Sequence, residues 1–116
     1  MDRLDTILVD LRSFVAERDW AKFHDPKNLA MAVASEAGEL LAEYRWIENR
    51  EADAFSRDPG NRARIEAEAA DVAITFLLFC ERAGIELPAA IARKMEVNRR
   101  NYPAERVRGS AERFPR

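Results

Sequence analysis

The chain has 116 residues and a mass of 13.3 kDa, the size of one domain with a single core, small enough to gain from oligomerisation. A formal net charge of -2, with 34% charged residues of both signs, excludes the global basic footprint of a protein that grips nucleic-acid polymers nonspecifically. With 47% hydrophobic residues, four glycines and five prolines, the composition excludes a disordered chain and favours helices.

Leu4, Ile7, Leu8, Leu11, Phe14 and Val15 recur at helical spacing and predict an amphipathic helix from about Asp2 to Asp19. Its opening residues carry charge every few positions and lack the apolar core of a secretory signal. "AKFHDPKN" reads as a loop in which Asp25 caps, and Pro26 begins, a second helix running to about Trp46. "ENREADAFSRDPGN" is polar, with room for a short helix, and Asp58-Pro59-Gly60-Asn61 is the strongest turn signal in the chain. A long third helix then runs from about Asn61 and is closed by Gly84. Pro88 suits the first turn of a fourth helix that ends at Pro103. Residues 104 to 116 are expected to form a loosely ordered tail, leaving 1 to 103 as a single domain. No repeat, low-complexity tract or alternating strand pattern occurs in the sequence, so the expected fold class is all-α, of the four-helix-bundle type.

Cys80 and His24 are the sole residues of their kinds, which excludes a disulfide framework and a His/Cys zinc cluster within one chain. The reducing cytoplasm fits this usage. "VAITFLLFC" is uncharged, but its nine residues fall far short of the ~20 that span a bilayer as a helix, so no membrane role is expected.

The acids are the first candidates for chemistry. Glu36 and Glu39 lie roughly 60° apart on adjacent helical turns, with Glu43 between them in angle. Leu29, Leu40 and Ile47 fall within roughly 40° of Glu36, so the acidic strip borders the apolar stripe and does not oppose it. Glu68 and Asp71 repeat the spacing on the third helix, and Asp71 stands where that helix becomes apolar on all sides, from Val72 to Cys80. A helix of that kind must be surrounded by other helices, which predicts an oligomer. Carboxylates gathered at a low-dielectric edge repel one another unless cations compensate. Mg²⁺, which takes oxygen ligands and is often shared with substrate phosphates, would resolve this. The plainer alternative is chance spacing among 21 acids, with Glu68 paired to a nearby arginine such as Arg64. A di-iron carboxylate bundle calls for Glu-x-x-His motifs, and His24 has no glutamate three residues before it.

"SEAGEL" and "EAADV" together resemble the ExxE…ExxD signature of the all-α nucleoside triphosphate pyrophosphohydrolases, the MazG-like superfamily. "RDWAKFHDPKNLAMAVASEAGELLAEYRW" and "LPAAIARKMEVNRRNYP" are similar to its dCTP pyrophosphatase branch, so the resemblance covers about residues 14 to 103. It implies Mg²⁺-dependent hydrolysis of a nucleoside triphosphate, dCTP or a modified pyrimidine deoxynucleotide, to monophosphate and pyrophosphate, as a nucleotide-pool cleaning step. It further implies that Glu36, Glu39, Glu68 and Asp71 are metal-binding and catalytic. The helical bundle is then assembled from several chains, a homotetramer built as a dimer of dimers.

In the same branch the pattern KMxxNRxxYP contributes to the substrate site and falls on Lys94, Met95, Asn98, Arg99, Tyr102 and Pro103. Lys94 suits a phosphate, and Asn98, one turn on, suits sugar or phosphate. Basic residues near a helix C-terminus also simply stabilise its dipole. The resemblance places Trp20, His24 and Trp46 at the base, where aromatic faces stack and an imidazole discriminates. As ordinary alternatives, both tryptophans pack at helix ends and His24 caps the second helix.

Thr75 stands where relatives of that branch carry an aromatic residue one turn after the last acid, a departure that bears on sugar and base preference. Glu43 is an additional acid, expected to support its neighbours or to contact the third helix. The histidine-biosynthesis pyrophosphatases of the superfamily fit poorly, because their extra histidine and acidic pattern around Asp71 is lacking. Two alternatives stand beside the dCTP reading: a broad or purine-preferring enzyme of the same superfamily, and a non-catalytic helical interaction module.

Overall fold

The computed structural model describes residues 1 to 110, and among them every regular element is helical. None of these helices is long and apolar enough to cross a membrane. The chain divides into two compact units, Met1–Ala83 and the segment from Gly84 onward.

In the first unit, α1 spans Arg3–Glu17, with the Asp2 carboxylate accepting from the Asp5 N–H at 2.8 Å. It stops through a paired reversal of main-chain bonds. Trp20 N–H donates to the Val15 carbonyl at 3.1 Å, and Asp19 N–H to that of Ala16 at 3.2 Å. Asp19 takes the left-handed conformation that this motif needs, φ 54°, which aspartate tolerates better than most residues. The motif usually brings an apolar contact back onto the helix. Here the Trp20 ring packs edge-on against Phe14, with centroids 5.7 Å apart.

A 3-10 turn, Ala21–Phe23, leads into α2, Pro26–Ala42. Asp25 caps α2 by accepting from the Asn28 N–H at 2.9 Å, so His24 does not. α2 ends four residues before the expected Trp46. Beyond Ala42 the bonds tighten to i→i+3 spacing, Tyr44 to Leu41 and Ile47 to Tyr44, both 2.9 Å. Tertiary contacts account for the early stop. The Tyr44 hydroxyl bonds that of Ser56 at 2.7 Å, and its ring packs edge-on against Phe55 of α3, Ala52–Arg57.

The DPGN segment, expected as a turn, is the start of α4, Pro59–Ala83. Pro59 occupies the first helical position, the Asp58 carboxylate accepts from Gly60 N–H at 2.8 Å, and the Asp58 carbonyl accepts from Asn61 and Arg62. The same residue types serve a turn and a helix start, because both need a side-chain acceptor followed by a φ near that of proline. α2 packs chiefly against α4, and the two run antiparallel, since Glu36 lies beside Asp71 while Glu43 lies beside Arg64. Arg12 of α1 clasps Glu81 of α4 with two bonds, at 2.7 and 3.1 Å.

In the second unit, α5 spans Leu87–Asn101, capped by Glu86, whose carboxylate accepts from Ala89 N–H at 2.9 Å. Gly84, in the left-handed region at φ 72°, separates it from the preceding helix. Of the tail expected at 104 to 116, Ala104–Val107 form one helical turn, α6, and residues 111 to 116 lie outside the described residues.

Burial is shallow. Among the described residues only Leu29 (4% exposed) and Cys80 (3%) are close to fully buried, while Trp46 is 84% and Leu41 66% exposed. Burial also pushes the Cys80 thiol above its ordinary pKa, so it acts as a core side chain. Gly38, exposed on α2, would meet nothing within 4 Å if given a Cβ. Glycine costs a helix interior about 1 kcal/mol relative to alanine. Gly38→Ala is therefore expected to raise stability against urea by about 1 kcal/mol; a loss instead would reveal a second chain packed against this turn.

Candidate active site

The acidic cluster sits where α2 and α4 cross. Glu36 lies one turn before Leu40 on α2, and Glu68 and Asp71 are one turn apart on α4, so helical periodicity alone brings each pair to one face. Antiparallel packing then sets the faces together. Glu36, Glu68 and Asp71 each offer an oxygen within 4.8 Å of the others, the first two partly buried and Asp71 exposed. Glu39 is outside that trio and exposed, yet its charge is felt at Glu68.

Glu68 holds its proton above the ordinary carboxyl value of 4.5. Loss of hydration is the largest cause, followed by the charges of Glu39, Asp71, Glu36 and Glu43 in that order. Five carboxylates therefore share one electrostatic neighbourhood. Among the described residues no ion pair reaches Glu36, Glu39, Glu68 or Asp71. The plainer pairing of Glu68 with Arg64 does not occur: Arg64 pairs with Glu43, 3.2 Å away. Donors that are all oxygen, mutually repelling and without a protein cation fit a hard divalent cation.

The residues expected at the base are more dispersed. His24 lines a groove of about 290 Å³ with Arg12, Val15, Ala16, Ala21, Leu78, Glu81 and Arg82. Arg82 holds the floor of the turn before it, donating to the Ala21 carbonyl at 3.0 Å. Trp20 packs on Phe14 as the helix stop, which is the ordinary role weighed for it, and still leaves 43% of its surface exposed. Trp46 projects from the turns after α2, with the Arg45 guanidinium 5.5 Å from its ring centre. Lys94 and Asn98 lie one turn apart on α5, Lys94 exposed and Asn98 partly buried. Tyr102 is the C-cap of that helix, its N–H bonding the Asn98 carbonyl at 2.8 Å.

Arg12, Glu81 and Arg82 carry no mark in the sequence of the contacts they make. Their contacts span 61 to 69 positions along the chain, and helical spacing carries no signal for such pairs.

The raised Glu68 value has a sign. Between 4.5 and the higher folded value, the folded chain keeps a proton that the unfolded chain has released, so the cation-free protein loses stability as pH rises through that window. Glu68→Gln removes this dependence. The variant is expected to melt higher than the metal-free parent at neutral pH and to gain less from added Mg²⁺; a lower melting temperature would mean that the cluster is not under electrostatic stress.

No family model matches the sequence. Human dCTP pyrophosphatase 1 is 39% identical over 101 residues, 87% of this chain, and the rat protein of that name is 40% identical over 98 residues. This chain spans 59% of the human protein's length. A crystallographically determined pyrophosphatase from Archaeoglobus fulgidus DSM 4304 superposes with a TM-score of 0.78 at 38% identity, covering 89% of this chain and 94% of that one. Near-complete coverage at that identity, the helical fold and the ExxE…ExxD acids agree: the chain belongs to the MazG-like, all-α nucleoside triphosphate pyrophosphohydrolases, in their dCTP pyrophosphatase branch.

Proposed function

We propose that this chain hydrolyses a nucleoside triphosphate, dCTP or a modified pyrimidine deoxynucleotide, to monophosphate and pyrophosphate in a Mg²⁺-dependent reaction that cleans the nucleotide pool. The observation that carries this reading is the approach of Glu36, Glu68 and Asp71 within 4.8 Å of one another. The names of the relatives support the substrate class. Glu36, Glu39, Glu68 and Asp71 would hold the cation, which supplies charge neutralisation for the triphosphate and activation of the attacking water.

The remaining chemistry belongs to the protein's own side chains. Set on two packed helices, the carboxylates keep their positions as charge shifts during reaction. One of them takes the proton that water loses as its oxygen joins phosphorus. The bond between the α- and β-phosphates breaks, and pyrophosphate leaves with the electron pair. Trp20 and Trp46 offer faces for the base and His24 a polar edge. Lys94 supplies a point charge for phosphate, and Asn98 and Tyr102 supply hydrogen bonds to sugar or phosphate.

Thr75 favours a second reading, broader or purine preference. Its hydroxyl bonds the Asp71 and Val72 carbonyls at 3.0 and 3.1 Å, so this small side chain is turned to its own helix where the branch carries an aromatic ring.

The reading includes a homotetramer, with a dimer as the minimum, working in the cytoplasm. Ile74 and Phe76 of α4 are each 39% exposed and Trp46 84%, an apolar load that a second chain or a ligand would cover.

The direct test is pyrophosphate release from a panel of nucleotides with and without Mg²⁺, alongside light scattering for mass. Release from dCTP only with Mg²⁺, by a particle of four chains, is expected. Glu39→Ala and Asp71→Ala should lower kcat at least about a hundredfold with helical content unchanged, while Trp46→Ala should mainly raise KM. A panel with no release at all would favour the interaction module, and equal kcat/KM across bases the broad enzyme.

A further inference from the structure

The α2/α4 crossing carries three successive rungs: Glu36 beside Asp71, Glu39 acting on Glu68, and Glu43 bonded to Arg64. Only the third holds a positive charge. Arg64 Nε donates to Glu43 Oε1 at 3.2 Å, Nη1 to the Gly60 carbonyl at 2.7 Å and Nη2 to Asn61 Oδ1 at 2.8 Å. The guanidinium is thus pinned to the first turn of its own helix before it reaches across to α2. A planar fork satisfied at three points gives up little freedom in doing so, whereas a lysine ammonium offers no such geometry.

Glu43 is no remote surface acid. Its side chain is only 20% exposed, it follows Glu39 by one turn, and its charge reaches Glu68. Untethered, a carboxylate there would be drawn toward any cation bound by its neighbours, changing both the charge and the number of oxygens offered.

We propose that Arg64 is a positioning residue of the acidic site: it withdraws Glu43 from the carboxylates open to a divalent cation and locks the α2/α4 register at that end of the site. This inference rests on the metal-dependent reading above. The division of labour is physical. Among the described residues four acids are left without a cation partner, and the fifth is paired with an arginine bonded at three points.

Calorimetric titration of metal-free protein with MgCl₂, with melting temperatures recorded alongside, tests the role. Arg64→Lys keeps the charge and loses the fork. Freed Glu43 should then tighten Mg²⁺ binding by about threefold or more, the scale of a partly exposed charge contact. In a Glu43→Gln background the same Arg64→Lys change should leave the Mg²⁺ Kd unaltered. An Arg64→Lys protein that binds Mg²⁺ as the parent does, or a shift that persists without Glu43, overturns the proposal. A pair that merely braced two helices would move the melting temperature and not the Kd. Should the parent bind Mg²⁺ and release pyrophosphate while Arg64→Lys changes nothing, only the positioning role falls; should the parent do neither, the functional reading falls with it.

Discussion

Mutual repulsion among carboxylates at the α2/α4 crossing is the constraint around which the first unit is organised. Folding brings Glu36, Glu68 and Asp71 within 4.8 Å of one another and, first through lost hydration and then through its neighbours' charges, leaves Glu68 reluctant to ionise. Such an arrangement costs stability in the absence of a cation, and the surrounding structure has to hold it in place. Caps from Asp25 and Asp58 fix where each helix begins. The Arg12 clasp on Glu81 ties α1 to the far end of α4. Strain of this kind is expected at a site whose charge is completed by something other than the chain.

The apolar surface has the same logic. Among the described residues few side chains are deeply buried, and Trp46, Leu41 and Phe23 lie largely in the open, an apolar surface of the kind that a second chain or a ligand covers. α4 illustrates this. Its Val72 to Cys80 section is apolar on every side, yet one face packs on α2 while Ile74 and Phe76 stay half in solvent.

Much of this was legible in the sequence, for reasons that can be named. The four long helices follow from period and caps, because Asp25-Pro26, Gly84 and Pro88 punctuate the chain with strong local chemistry. The acidic strip on the edge of the apolar stripe was also legible, since helix geometry alone aligns Glu36 with Glu39 and Glu68 with Asp71. Local signals failed where one residue set serves two structures, as at Asp58-Pro59-Gly60-Asn61, or where tertiary contact decides, as when Tyr44 bonds Ser56 and stops α2 early. Arg64 shows the limit most clearly. Spacing within its own helix points it at Glu68, but the antiparallel neighbour delivers Glu43 instead, and no one-dimensional pattern carries that choice.

The central claim is that these two helices deliver their acids to one divalent cation. Crystals grown with Mn²⁺ and measured at a wavelength where manganese scatters anomalously test it most directly. The account predicts an anomalous peak within about 2.0 to 2.3 Å of carboxylate oxygens from Glu36, Glu68 and Asp71. A manganese peak bound only elsewhere, with those three side chains turned apart into solvent, would contradict it.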